Sequence, residues 1–194
     1  SIVVPHNTAV MATSANGQRV IEGPCVELLE YEESLVTLSL STGTPKNDTG
    51  LLETCFLRTK GNRVSDGIRI ETSDFVEIEI RVSYRVTFDT EASSRWFNHI
   101  NYIQVLSEHL RSIVRSRCRQ LNLTEIWPKL PAVIRDSVLG ERTEDGRKGR
   151  IFEENGMLVT EVEVLNAKIL DQEIGDLLGT VQKASVSLQI NNRQ

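Results

Sequence analysis

Between Val76 and Phe88 the chain alternates without a break. Val76, Ile78, Ile80, Val82, Tyr84, Val86 and Phe88 are apolar or aromatic, and Glu77, Glu79, Arg81, Ser83, Arg85 and Thr87 stand between them. A two-residue period places successive side chains on opposite faces of an extended chain, so the run predicts a half-buried strand. At about 3.3 Å per residue it spans roughly 43 Å, long enough that it must twist or bend. Ile68, Ile70 and Thr72 precede it with the same parity, and Ser73-Asp74 supplies turn chemistry. The stretch from Asp66 to Phe88 is therefore read as a hairpin with one apolar and one charged face. An apolar face of that length has to be covered, and the amphipathic segments downstream are the cover.

Upstream, residues 1–46 read as short strands cut by turns. Asn7 to Thr13, Gln18 to Glu22, Cys25 to Leu29 and Leu35 to Leu40 are separated by Ser14-Ala15-Asn16-Gly17, by Gly23-Pro24 and by the acidic corner at Glu30 to Glu33. Ser1 to Pro5 offers no start of its own. Ser41 to Gly50 is dense in turn formers and reads as a linker, which puts a domain boundary there. Leu51 to Lys60 resumes as a strand.

After Phe88 the period lengthens to that of a helix. Trp96, Phe97, Ile100, Ile103, Leu106, Leu110, Ile113, Val114 and Leu121 keep one face apolar, with a break expected near Asn98 to Asn101. A second helix is expected from an N-cap at Thr124 to a stop at Gly140, its start delayed or bent by Pro128 and Pro131. Glu141 to Arg150 is charged, punctuated by glycine and aperiodic, as exposed loops are. Asn155-Gly156 reads as a tight turn before a long strand from Met157 to Leu170. The apolar parity of that strand slips after Val164, which predicts a bulge. From Asp171, a helix cap, Ile174, Leu177, Val181, Ala184 and Leu188 follow at spacings of three and four, a heptad seam suited to self-association. The fold class is α+β: a small antiparallel module, then an antiparallel sheet packed with helices, then a long helix.

Composition narrows the chemistry. A formal charge of -5 gives no reason to expect wholesale attraction to nucleic acid or membranes, so a basic feature has to be local. Arg111, Arg115 and Arg119, four apart on one helix, form such a feature. An RNA or anionic-lipid contact competes with a plainer reading, a helix face paired with acidic strand residues or packed against a neighbouring copy, and ordinary charge patterning favours the plainer one. Cys25, Cys55 and Cys118 are far apart, odd in number and without a CxxC pair, which speaks against a disulfide framework or a zinc site. His99 and His109 have no carboxylate or cysteine at a ligand spacing. Cys118 reads as a small buried hydrophobe, and Trp96, Phe97 and Tyr102 as core. Nothing approaches the roughly 20 apolar residues that span a bilayer, and a soluble protein is expected. No enzyme motif and no cofactor site is read.

Several segments, in order, resemble the major vault protein family. They include Gly23-Pro24, Leu28 to Leu35, Leu38 to Lys46, Asn62 to Asp66, Ser83 to Phe88, Trp96-Phe97, Ile134-Arg135-Asp136 and Phe152 to Met157, and together they cover essentially the whole chain. The sequence departs from the family pattern at Thr44, where lysine is usual, and at Gly67, where isoleucine is usual. The resemblance implies a last vault-type repeat at 1–46, a shoulder domain at 51–170 similar to the stomatin and prohibitin core, and the opening of a cap helix at 171–194. It also implies a structural subunit, without catalysis or small-molecule substrate, that stands side by side with its own copies in a hollow ribonucleoprotein shell. In the parent particle the implied partners are further copies, vault-associated proteins and a small RNA. A scaffold role in signalling or transport, and a cytoplasmic location with the nucleus as a second compartment, belong to the same implication. The alternative is a membrane-associated, stomatin-like scaffold that meets lipid rafts or partner proteins through the shoulder.

Overall fold

The structure, a computed structural model, describes residues 1–177. In the N-terminal part β1 (Ile2–Val4) pairs antiparallel with β4 (Cys25–Glu27). The first five residues therefore do contribute a strand, although too short a one to show a period. β2 (Thr8–Ser14) and β3 (Gly17–Glu22) form the expected hairpin. β2 is the central strand and is buried on both faces: Ala9 and Met11 enter one apolar cluster, Val10 and Ala12 another. That accounts for its uninterrupted Ala9-Val10-Met11-Ala12 run, which an alternating strand would not carry.

The expected strand from Leu35 to Leu40 is two strands. β5 (Ser34–Leu35) pairs with β2, whereas β6 (Leu38–Ser41) pairs with β7 (Leu51–Thr54). Leu51 to Lys60 divides likewise, because β8 (Leu57–Arg58) leaves β7 to pair with β2. In both cases one extended stretch serves two partners, and a change of partner leaves little trace in local polarity. Residues 42–50 are not a loose linker: β6 and β7 close them into the loop of a hairpin.

The long alternating run is β10 (Glu77–Phe88), paired on one side with β9 (Asn62–Glu71) and on the other with β12 (Met157–Ile169). β11 (Arg150–Phe152), unannounced by any period, borders the first residues of β12, so the order is β11-β12-β10-β9. Every even side chain of β10 from Ile78 to Phe88 is buried. β12 slips register twice, passing over Thr160 and Leu165. The second slip is the expected bulge. The first escapes a parity reading because Leu158 is apolar too, yet it is Met157 and Val159 that point into the core.

Asn101 caps α1 (Tyr102–Cys118) by accepting from the Gln104 N–H at 3.2 Å, and the expected break lies just before it. The cap of α2 (Leu123–Ile126) is Asn122, not Thr124: its side chain accepts from the Glu125 N–H at 2.9 Å, while the Thr124 hydroxyl donates to Asn122. After a single tight turn holding Pro128 comes α3 (Leu130–Leu139), with Pro131 in its first turn. It ends at Gly140, whose φ of 88° is a conformation that glycine adopts freely. Leu106, Leu110, Val114 and Cys118 of α1, with Ile134 and Val138 of α3, cover the inner face of the sheet and share one core cluster with Ala9, Met11, Leu38, Leu40 and Leu57 of the N-terminal part. Phe88 meets Trp96 and Tyr102 edge to face at 6.2 and 5.1 Å. The result is an α+β fold. Asp171 begins the last helix as expected, accepting from the Ile174 N–H at 3.1 Å.

Candidate functional site

The arginine series of α1 does not form one open stripe. Arg111 turns inward, where its Nε donates to Asp66 Oδ2 at 2.7 Å and its Nη2 to Asp66 Oδ1 at 3.0 Å. Asp66 stands on the apolar face of β9, between Val64 and Ile68, and is completely buried. Its Oδ1 also accepts from the Lys46 N–H at 2.8 Å, and Arg111 Nη2 donates to the Lys46 carbonyl. A charged group that is buried persists only when paired and hydrogen-bonded, and here both conditions are met by three segments remote in sequence. The carboxylate raises the Arg111 pKa further above its ordinary value, chiefly through the hydrogen bond. Burial lowers that of Lys46. Thus the loop of the β6–β7 hairpin is clamped to the sheet and to α1.

Arg115 and Arg135 serve the edges of the sheet. Arg115 Nε donates to the Arg69 carbonyl on β9 at 3.0 Å, and Arg135 Nε, from α3, donates to the Val162 carbonyl on β12 at 3.2 Å. An edge strand offers unpaired backbone groups to any passing strand, and a cation laid across it discourages such pairing. Arg119 ends α1, exposed and without an ion pair among the described residues.

The outer face of the sheet carries rows of polar partners. Arg63, Arg85 and Glu161 stand in register, as do Arg69, Glu79 and Lys168; Glu71 faces Glu77. Of the seam, Ile174 packs partly against the core, Leu177 is 78% exposed, and Val181, Ala184 and Leu188 lie outside the described residues.

Burial pushes the Cys118 thiol up to about 12, so it is not a thiolate near neutrality. His99 pairs with Glu154 at 2.9 Å, and His109 lies edge-on to Phe152. Among the described residues no group of three or more His, Cys, Asp or Glu could hold a metal ion, and no helix is long and apolar enough to cross a membrane. Sequence reasoning missed Asp66 and Lys46. For Asp66 there was a signal, a carboxylate at an inward parity.

Two family profiles account for nearly all of this architecture: the Major Vault Protein Repeat domain matches residues 1–57, and the Shoulder domain matches residues 60–171. The chain belongs to the major vault protein family. It is 27% identical over 210 residues to the major vault protein of Mus musculus, covering 98% of this chain and 24% of that one. To the major vault proteins of Diplobatis ommata and Strongylocentrotus purpuratus it is 26% identical, covering 98% and 100% of this chain and 23% and 24% of theirs. The chain thus spans about a quarter of the length of the curated relatives it matches. Thr44 and Gly67 are neighbours in space: a Cβ at Gly67 would lie 3.6 Å from Thr44 Cγ2 and 3.8 Å from Pro45 Cβ.

Proposed function

We propose that this chain is a structural subunit of a vault-type shell, associating side by side with its own copies and carrying out no catalysis. The observation that carries this reading is the joint match to a vault repeat and a shoulder, which here share one apolar core. Arg115 and Arg135 each occupy one backbone carbonyl, on β9 and β12, which agrees with neighbours that meet through side chains. In the whole protein the partners would be further copies, vault-associated proteins and a small RNA, with the seam from Ile174 to Leu188 gathering copies at a cap. A scaffold for signalling or transport follows from such a shell.

Light scattering and negative-stain imaging of the full-length parent test this. A large hollow particle is expected, and its loss on Val181→Asp, a charge placed in the apolar heptad pattern, ties assembly to that seam. Residues 1–194 alone are expected as a monomer or weak dimer, because about two and a half heptads are marginal without the alignment that many copies provide. A parent that stays monomeric, or that floats with lipid vesicles without forming particles, would overturn the reading in favour of a membrane scaffold.

A further inference from the structure

We propose that the groove between α3 and the Arg63–Arg85 end of the outer sheet face binds a phosphoryl dianion. Arg63 and Arg85 are direct cross-strand partners on one face. Like charges in that relation are destabilising. The next residue in the row, Glu161, reaches Arg85 only at 3.5 Å, with both side chains well exposed, and an exposed pair of that kind compensates little. Elsewhere on this face Arg69, Glu79 and Lys168 alternate in sign and Glu71 faces Glu77, so Arg63 and Arg85 are the cross-strand pair of two cations.

Two further arginines converge on the same groove from the helical side. Arg135 is held by its Nε on the Val162 carbonyl, and Arg147 by its Nη1 on Asp136 and the Gly140 carbonyl. Each keeps other N–H groups beyond these bonds, and a guanidinium already anchored loses less freedom when it takes a ligand. The groove measures about 400 Å³, and the hydroxyl-bearing residues Ser83 and Thr160 also line it. Four arginines against Glu161, Glu163 and Asp136, the partner of Arg147, leave a local excess of one positive charge on a chain whose formal charge is -5. A phosphoryl group offers several acceptor oxygens to these planar forks, which bind phosphate two bonds at a time. The recognition chemistry is the same for a phosphoryl group on a soluble ester and on a lipid headgroup.

Calorimetry with pyrophosphate, in parallel with flotation on vesicles carrying a phosphoinositide or only phosphatidylserine, tests the proposal on the intact chain. Saturable binding in at least one arm is expected, weakened about tenfold or more by Arg63→Gln and by Arg85→Gln, as loss of a charge-assisted hydrogen bond implies. Arg119→Gln, on an exposed arginine elsewhere, should leave it unchanged. Arg63→Gln removes a like-charge neighbour, so its melting temperature should not fall, which separates lost binding from lost folding. Binding of pyrophosphate alone assigns a soluble ester, and binding confined to phosphoinositide vesicles assigns a headgroup. No saturable binding in either arm, or equal weakening by Arg119→Gln, overturns the proposal.

Discussion

Arg111 and Asp66 close a two-pronged ion pair inside the fold, 2.7 and 3.0 Å long, with the carboxylate wholly shielded from solvent. Removing one partner of such a pair strands the other charge. Asp66→Ala or Arg111→Met should each cost about 3–5 kcal/mol in urea unfolding. The double change Asp66→Leu with Arg111→Met should recover part of it, because no buried charge remains while the Lys46 N–H and carbonyl still lose their partners. Equal losses in the single and double variants would show that packing, not charge, is what the pair supplies.

Brief trypsin digestion should cut first after Arg142 or Lys148, which are exposed, while Lys46 is spared because it is 8% exposed and clamped by Asp66 and Arg111. Asp66→Ala should bring cleavage at Lys46 forward. Early cleavage after Lys46 in the parent chain would mean that the hairpin loop is not held as described.

Acid should loosen the N-terminal part through Glu33. Hydrogen bonds from Arg19 hold its carboxyl at about 2, against an ordinary value of 4.5. A depressed pKa contributes stability that is complete above the unfolded value and is lost as pH falls through the folded one, so the loss belongs to the window from about 4.5 down to about 2. Glu33→Gln should flatten the melting temperature across that window and leave its slope above pH 6 unchanged.

Cys118 should resist iodoacetamide in the native protein at pH 8, since it is fully buried and its thiol is pushed up to about 12. Cys25 and Cys55 are partly exposed and should react first. Mass spectrometry of the labelled peptides checks the order, and denaturation should release the third site.

Gly156→Ala should destabilise by about 2 kcal/mol or more. Its φ is 78°, and an added Cβ would lie 2.6 Å from the Ala92 Cβ, against the wall that carries Trp96. A neutral change in thermal unfolding would show that the turn can shift away from that wall.

The sequence by itself determined the hairpin from Asp66 to Phe88, the helix-bearing cover, the break before Tyr102 and the slip near Val164, because each is written as a local period that one face of burial imposes. It also carried the family, through ordered segments that no single motif would supply. Where one stretch divides between partners, as at Leu35 to Leu40 and at Leu51 to Lys60, local polarity stays the same on both sides of the break, and only the assembled sheets show it. The cap of α2 fell to Asn122 and not Thr124 because both are good caps, and the choice rests on where the chain leaves Leu121, whose carbonyl accepts from Ser73 at 2.8 Å. The role of Arg111 was decided by tertiary structure alone. Four-residue spacing places Arg111, Arg115 and Arg119 along one side of a helix, but it cannot say that Asp66 and Lys46, remote in sequence, wait beneath the first of them, since a buried charge finds its partner in space and not along the chain.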